Sequence, residues 1–117
     1  MEFTADKAIY LQIADYIGDR ILRQEWTAHD KIPSVRELSA SLMVNPNTVA
    51  RAYEQLENNG IIYSKRGIGF SVSETALEKV SAERRETFLK VELPNFCKKM
   101  RQLDLSWEQV TEFAKYI

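Results

Sequence analysis

The chain has 117 residues, 44% of them hydrophobic, with a formal net charge of −1 and a single cysteine, Cys97. No apolar run approaches the ~20 residues that a membrane-spanning helix needs, and the acidic first residues lack a signal-peptide pattern, so we expect neither. A chain of this length supports one domain, or a small domain with an appendage. The lone cysteine excludes an intramolecular disulfide and is typical of a protein in a reducing cytoplasm.

The charges are unevenly distributed along the chain. Residues 1–30 carry three basic and six acidic side chains, and residues 71–117 carry eight of each. Only residues 31–70 are net positive, with five basic and three acidic side chains. Because basic side chains bind phosphates, this segment is the candidate for contact with nucleic acid, with modest non-specific affinity.

The first predicted element is an amphipathic helix whose role we expect to be structural. Its apolar residues recur at spacings of three and four, which places them on one face. They are Tyr10, Ile13, Ala14, Ile17 and Ile21. Gln24–Trp26 ends the helix, with Trp26 expected at the edge of the core. Lys31–Ile32 is predicted to add a short strand beside a later hairpin.

Two further helices are predicted around a tight turn. Ser34 and Glu37 have the spacing of a capping box, at the start of a helix that runs to about Leu42. Asn45 is a strong N-cap for the next helix, and Pro46 takes its first position, where a missing N–H costs nothing.

A glycine-tipped β-hairpin is predicted after these helices. Gly60 ends the second of them, and Ile61–Tyr63 and Phe70–Val72 have the pattern of two short strands. Lys65–Gly69 forms a basic turn between the strands. The whole order predicts a mainly α fold with a small β-wing, a winged helix-turn-helix, which places one helix in the major groove of DNA.

The second of the two helices leaves a polar face after its apolar stripe is buried. Asn47, Thr48, Arg51 and Gln55 share this side, and an arginine can bind guanine through two hydrogen bonds. The alternative is a solvated helix face on which Arg51 pairs with Glu54 or Glu57. The capped turn, the amide-rich helix start and the basic wing favour contact with DNA.

These motifs together resemble the DNA-binding domain of the GntR family of bacterial transcription repressors. They are IPSVREL at 32–38, VNPNTV at 44–49 and LENNGII at 56–62, with AIYLQIA at 8–14 similar to the start of the family's first helix. The run NPNTVARAY at 45–53 is similar to the YtrA subfamily in particular. The resemblance covers residues 8–72.

The predicted DNA-contacting residues fall on the two helix starts and the wing. They are Ser34, Arg36, Asn45, Asn47, Thr48, Arg51, Lys65, Arg66 and Gly67. Many family members carry arginine at the positions of Pro46 and Ala50, so no base contact is carried over there. Base reading is assigned to Arg51 with Asn47 and Thr48, and the remaining residues are assigned to the phosphate backbone and the minor groove.

After Val72 the sequence predicts a helical region, residues 73–117, beside a DNA-binding domain of residues 1–72. Its helices are interrupted at Pro94 and at Asp104–Leu105, and Ser106 with Gln109 forms a second capping-box pattern. Exposed apolar stripes predict dimerisation, as the resemblance also implies, unless they pack on the chain's own core. The predicted dimerisation residues are Leu77, Val80, Arg84, Phe88, Val91 and Met100. We expect this region to be too short to enclose a metabolite pocket of ~300 Å³.

The predicted function is that of a transcriptional regulator, a repressor that binds a two-fold symmetric operator in double-stranded DNA as a homodimer. The alternative is a winged-helix module that binds other proteins, and RNA binding ranks last. No enzymatic, cofactor or metal role is predicted, since the single histidine, His29, lies in a loop without a second ligand at metal-binding spacing. A small-molecule effector is neither indicated nor excluded.

Overall fold

The computed structural model describes residues 1–117 and contains six α-helices, one π-helical turn and one hairpin. In chain order they are α1 (Ile9–Leu22), α2 (Val35–Leu42), α3 (Pro46–Asn58), β1 (Ile62–Lys65), β2 (Gly69–Val72), α4 (Ala76–Thr87), the π-helical turn (Phe88–Glu92), α5 (Leu93–Gln102) and α6 (Trp107–Ala114). The chain divides into two compact units, residues 1–81 and residues 82–117. We call them the N-terminal unit and the C-terminal unit.

The core of the N-terminal unit lies where α1 packs on α3. The predicted α1 stripe is confirmed, because Ile13, Ile17 and Ile21 are all buried. They meet the buried face of α3, formed by Val49, Ala52, Tyr53 and Leu56, and Trp26 packs at the edge as predicted. α1 is thus the brace that the sequence predicted.

One polar group is accommodated inside this core. The hydroxyl of Tyr53 donates a hydrogen bond of 2.6 Å to the carbonyl of Pro33, and its ring meets Phe70 edge-on with centroids 5.0 Å apart. Burial, together with the charge of Glu37, raises the pKa of Tyr53 well above its usual value, so the phenol remains neutral. This residue links α3 to the entry of α2 and to the wing.

Local sequence signals account for the ends of α2 and α3. The Ser34–Glu37 capping box is present in both directions, with Ser34 Oγ accepting from the Glu37 amide at 3.0 Å and Glu37 Oε1 accepting from the Ser34 amide at 3.1 Å. Asn45 Oδ1 accepts from the Asn47 amide at 2.8 Å, and Pro46 opens α3 as predicted. Gly60 follows α3 with a φ of +73°.

The wing is a two-stranded antiparallel hairpin in which Ile62 faces Val72 and Lys65 faces Gly69. The strands are each four residues long and reach nearer the tip than the predicted ones. The weak third strand at Lys31–Ile32 is present only as a single bridge between Lys31 and Ser71. Backbone hydrogen bonds hold this segment against β2, since the Ile32 amide donates to the Phe70 carbonyl at 3.0 Å and the His29 amide donates to the Val72 carbonyl at 2.7 Å.

The boundary between the units lies beyond the predicted one at Val72. Ala76 and Val80, in the first turns of α4, belong to the same buried cluster as α1 and α3. Two further bonds hold this segment, since Ser73 Oγ and Lys79 Nζ both donate to the Gly60 carbonyl, at 2.7 and 3.4 Å. The N-terminal unit therefore includes residues 73–81, which the sequence had assigned to the dimerisation region.

We predicted that Pro94 interrupts the helical region, and the structure shows that it does not. The π-helical turn Phe88–Glu92 follows α4 directly, and α5 begins at Leu93 with Pro94 in its first turn. Because a π-helical turn is wider than an α-helical turn, it changes the hydrogen-bond pattern where proline has no N–H to donate. The break at Asp104 and the Ser106–Gln109 capping box are both confirmed.

No helix combines the length and the apolar character needed to cross a membrane. The longest helix, α1, spans 14 residues.

Candidate nucleic-acid interface

The polar face of α3 is open to solvent, as predicted. Asn47, Arg51 and Gln55 are exposed and Thr48 is half-buried, on the side away from the buried stripe. Asn45 occupies the backbone donors at the helix start, since its side chain accepts from the Asn47 amide and its carbonyl accepts from the Thr48 and Val49 amides, at 3.0 and 3.3 Å. Because Pro46 has no N–H, this end of α3 presents short polar side chains and not free amides, which suits contact with base edges.

Arg51 is held by an aromatic ring and not by a carboxylate. The guanidinium carbon of Arg51 lies 3.9 Å from the centroid of the Tyr10 ring. Glu57 instead accepts a hydrogen bond of 2.7 Å from the Ser64 hydroxyl. The alternative in which Arg51 pairs with Glu54 or Glu57 is therefore not what the structure shows. The sequence analysis missed Tyr10, which it assigned only to the core stripe.

The start of α2 supplies a second polar end. Arg36 is exposed, and the Ser34 hydroxyl accepts the Glu37 amide while its own hydrogen stays outside the capping box. The backbone and side-chain bonds from Ser34 hold the pKa of Glu37 below its usual value. Glu37 therefore stays ionised at neutral pH, and the capping box that orients Ser34 and Arg36 stays intact.

The wing tip is basic and conformationally specialised. Lys65, Arg66 and Gly67 are all exposed, and the Ile68 amide closes the turn on the Lys65 carbonyl at 2.9 Å. Gly67 has a φ of +79° and open space around it. Ile68 is also half exposed at the tip, an apolar residue that the sequence analysis did not include. The tip thus presents two cations and one aliphatic side chain.

All nine predicted DNA-contacting residues are exposed or half-buried, and all belong to the N-terminal unit. None of them is used in the core. The structure therefore leaves the whole set available for a ligand.

The predicted dimerisation residues are divided by the structure. Leu77, Phe88 and Val91 are exposed, but Val80 is 4% exposed and belongs to the core of the N-terminal unit. Met100 is 6% exposed inside the C-terminal unit, and Arg84 is half-buried. Val80 and Met100 are therefore already covered within one chain, because each packs inside its own unit.

The C-terminal unit exposes more apolar surface than the sequence analysis assigned to it. Large exposed residues outside the predicted dimerisation set include Leu89, Phe96, Leu103, Trp107 and Phe113. A groove of about 440 Å³ runs between α5 and α6, but it does not enclose a pocket, so it does not contradict the expectation that this region is too short to enclose one. The groove is open, because Phe113 on its wall is 77% exposed.

The side chains of the structure do not assemble a metal centre. His29 lies in an exposed loop, as predicted, with Nδ1 3.0 Å from the Tyr63 hydroxyl. No group of three or more His, Cys, Asp or Glu side chains is arranged to hold a metal ion.

Comparison with known proteins gives a consistent result. Residues 9–72 match the family described as bacterial regulatory proteins, gntR family. The chain is 40% identical to an uncharacterized HTH-type transcriptional regulator, YhcF of Bacillus subtilis, over 97% of this chain and 93% of the relative. It is 36% identical to the HTH-type transcriptional repressor YtrA of the same organism, over 93% of this chain and 83% of the relative.

Solved structures show the same similarity. A GntR family transcriptional regulator from Listeria monocytogenes superposes with a TM-score of 0.81 at 35% identity, over 98% of this chain and 99% of that one. AraR(DBD) in complex with operator ORR3 superposes with a TM-score of 0.54 at 30% identity, over 62% of this chain and 86% of that one.

Proposed function

Because the chain belongs to the GntR family of bacterial regulatory proteins and is a DNA-binding transcriptional regulator, we propose that it is a repressor that binds a two-fold symmetric operator as a homodimer. The observation that carries the proposal is the exposed polar face of α3 beside a basic wing. The similarity to a repressor over most of both chains supports the same conclusion.

In this proposal α3 lies in the major groove. The planar guanidinium of Arg51 would bind a guanine through O6 and N7, a pairing that contributes about 1–3 kcal/mol of discrimination. Asn47 and Thr48, one turn earlier on the same face, would reach the neighbouring bases. Pro46 and Ala50 cannot form such contacts, so Arg51 is the only cation on this face.

The helix starts and the wing would position the protein on the backbone. The first amides of α2, with Ser34 and Arg36, suit phosphate oxygens, since helix N-termini favour anions. Lys65 and Arg66 at the wing tip would approach the minor groove or its phosphates. These contacts carry little sequence information but fix the register of Arg51.

Dimerisation would bring two reading helices to successive major grooves, about 34–36 Å apart. The surface that we propose for it is the exposed apolar part of residues 73–117, which includes Leu77, Phe88 and Val91. With few cations among the DNA-contacting residues of each chain, one copy would bind DNA weakly, and pairing two copies would multiply both affinity and discrimination. Because the family is one of bacterial regulatory proteins and bacterial DNA lies in the cytoplasm, we place the protein there.

Selection of bound duplexes from a random pool tests the proposal directly. We expect an enriched motif with two-fold symmetry and half-sites one helical turn apart. Arg51→Ala should lose preference at one base pair in each half-site and keep binding to random duplexes at low salt. Gln55→Ala, at the far end of the same face, is the matched control. A pool without any enriched symmetric motif would instead indicate a protein-docking module.

A further inference from the structure

The contact between Arg51 and Tyr10 joins the reading face of α3 to α1. The guanidinium carbon lies 3.9 Å from the ring centroid, which is within the range of a cation–π contact. Tyr10 is half-buried and packs against the core, whereas Arg51 is exposed. The ring therefore covers one face of the guanidinium and leaves its N–H edge in solvent.

We propose that Tyr10 is a positioning residue for base reading, and that its ring holds the guanidinium plane of Arg51 in place before DNA is bound. The inference rests on the proposed role of Arg51 as the base-reading residue. An unrestrained arginine side chain samples many rotamers, and ordering it on binding reduces affinity. A guanidinium stacked on a ring loses less entropy when it meets the two acceptors of a guanine.

Tyr10 is itself held firmly enough to act as a platform. It lies in the first turn of α1, whose following turns bury Ile13 and Ile17 against α3. Two residues after it, the side-chain amide of Gln12 donates to the carbonyls of Thr4 and Lys7, which precede Tyr10, at 2.8 and 2.7 Å. The chain on both sides of Tyr10 is thus tied to α1, and the ring moves with the core.

Two other roles for the contact make different predictions. If Tyr10 only braces α1 against α3, its loss lowers stability and leaves discrimination between duplexes unchanged. If the ring withholds Arg51 from DNA, its loss strengthens binding to the operator. A positioning role predicts weaker discrimination with unchanged binding to unrelated DNA, because the contacts with phosphates do not involve Tyr10.

The matched control is a second aromatic–arginine pair on the same helix. The guanidinium carbon of Arg20 lies 4.8 Å from the ring centroid of Tyr16, which is also half-buried in α1. Arg20 lies on α1 and is not one of the predicted DNA-contacting residues. Tyr16→Leu therefore removes a comparable ring from the same helix without touching the reading residue.

The experiment measures binding of the full chain to the selected operator and to a scrambled duplex at fixed salt. Tyr10→Leu should reduce the ratio of the two affinities about two- to five-fold per half-site, the usual size of an exposed cation–π contact. Tyr10→Phe, which keeps the ring, should retain the ratio. Tyr16→Leu should retain it as well, whatever its effect on the thermal midpoint.

A double-mutant cycle distinguishes a failure of the positioning role of Tyr10 from a failure of the proposed base-reading role of Arg51. In an Arg51→Ala background, Tyr10→Leu should have no further effect on the ratio. An equal loss in both backgrounds, an unchanged ratio or a raised one would overturn the positioning role while leaving Arg51 as the reader. If Arg51→Ala itself leaves the ratio unchanged, the reading role of Arg51 fails and the positioning role fails with it.

Discussion

Val80 and Phe88 lie two helical turns apart and belong to the same predicted dimerisation stripe, but the structure gives them different surroundings. Val80 is 4% exposed in the core of the N-terminal unit, whereas Phe88 is 51% exposed at the start of the π-helical turn. We predict that Val80→Ala destabilises the fold and leaves the dimer interface unchanged. We predict that Phe88→Asp yields monomers with nearly unchanged unfolding of the N-terminal unit.

The magnitudes follow from burial. Val80→Ala removes the equivalent of two methylene groups at about 0.8 kcal/mol each, and the remaining cavity raises the loss to about 2–3 kcal/mol. For a unit of this size, that lowers the thermal midpoint by about 10–20 °C. Phe88→Asp places a carboxylate where solvent already reaches, so the monomer loses little. At a dimer interface, loss of such a ring weakens association by about 2 kcal/mol or more, roughly thirty-fold.

The assay pairs urea unfolding with light scattering over a range of protein concentrations. Concentration must be varied because dimerisation itself raises the apparent stability of the fold. Val80→Ala should lower the urea midpoint at every concentration and remain dimeric wherever it is folded. If it dissociates while its unfolding stays unchanged, then Val80 is an interface residue and the boundary at Ser81 is wrong. If Phe88→Asp stays dimeric, the interface lies elsewhere.

Four further predictions follow from particular contacts. Ser34→Ala removes the cap of α2 and should lower stability by about 1 kcal/mol in urea unfolding, and an unchanged midpoint would show that the capping box contributes nothing. The capping box lowers the pKa of Glu37, so its stabilisation is present above the ordinary value of 4.5 and is lost as pH falls below it. Thermal midpoints measured down to pH 3 should therefore show a steeper acid loss in the wild type than in Glu37→Gln, whose side chain does not titrate, and parallel curves would contradict this. Gly60→Ala must accept a φ of +73° and a Cβ that meets Lys79 Nζ, so we expect a loss of about 1–2 kcal/mol in stability. If a Lys79→Ala background relieved all of this loss, the strain of the backbone would not contribute to it. Lys65→Ala with Arg66→Ala should lower the salt slope of DNA binding by about one per cation in each chain and leave base preference intact, so that an altered preferred sequence would move the wing to a reading role.

Much of the fold was predictable because the signals that define it are local. A capping box needs only a serine and a glutamate three residues apart, and both Ser34–Glu37 and Ser106–Gln109 form as predicted. Asn45, Pro46 and Gly60 place the ends of α3 by the same kind of short-range geometry. The exposed polar face of α3 followed from helical periodicity alone, since burial of one stripe leaves the opposite side to solvent.

Contacts between residues that are distant in the sequence could not be predicted from such local signals. Periodicity shows that Val80, Phe88 and Met100 are apolar helix residues, but it does not say which surface covers each of them. The structure decides this, because the first turns of α4 complete the core of the N-terminal unit while Phe88 stays in solvent. Pro94 is a similar case, since a proline that would end an α-helix is accommodated beside a π-helical turn.

The sequence by itself determined the winged helix-turn-helix, its caps and the polar residues offered to DNA, because each depends on neighbours within one or two turns. Only the tertiary structure decided where the DNA-binding unit ends and what Arg51 rests on. Tyr10 and Arg51 are forty-one positions apart in the sequence, and they meet only because the buried isoleucines of α1 dock on α3. The sequence pattern indicates only that Tyr10 lies on an apolar stripe, whereas the fold shows that its ring contacts Arg51.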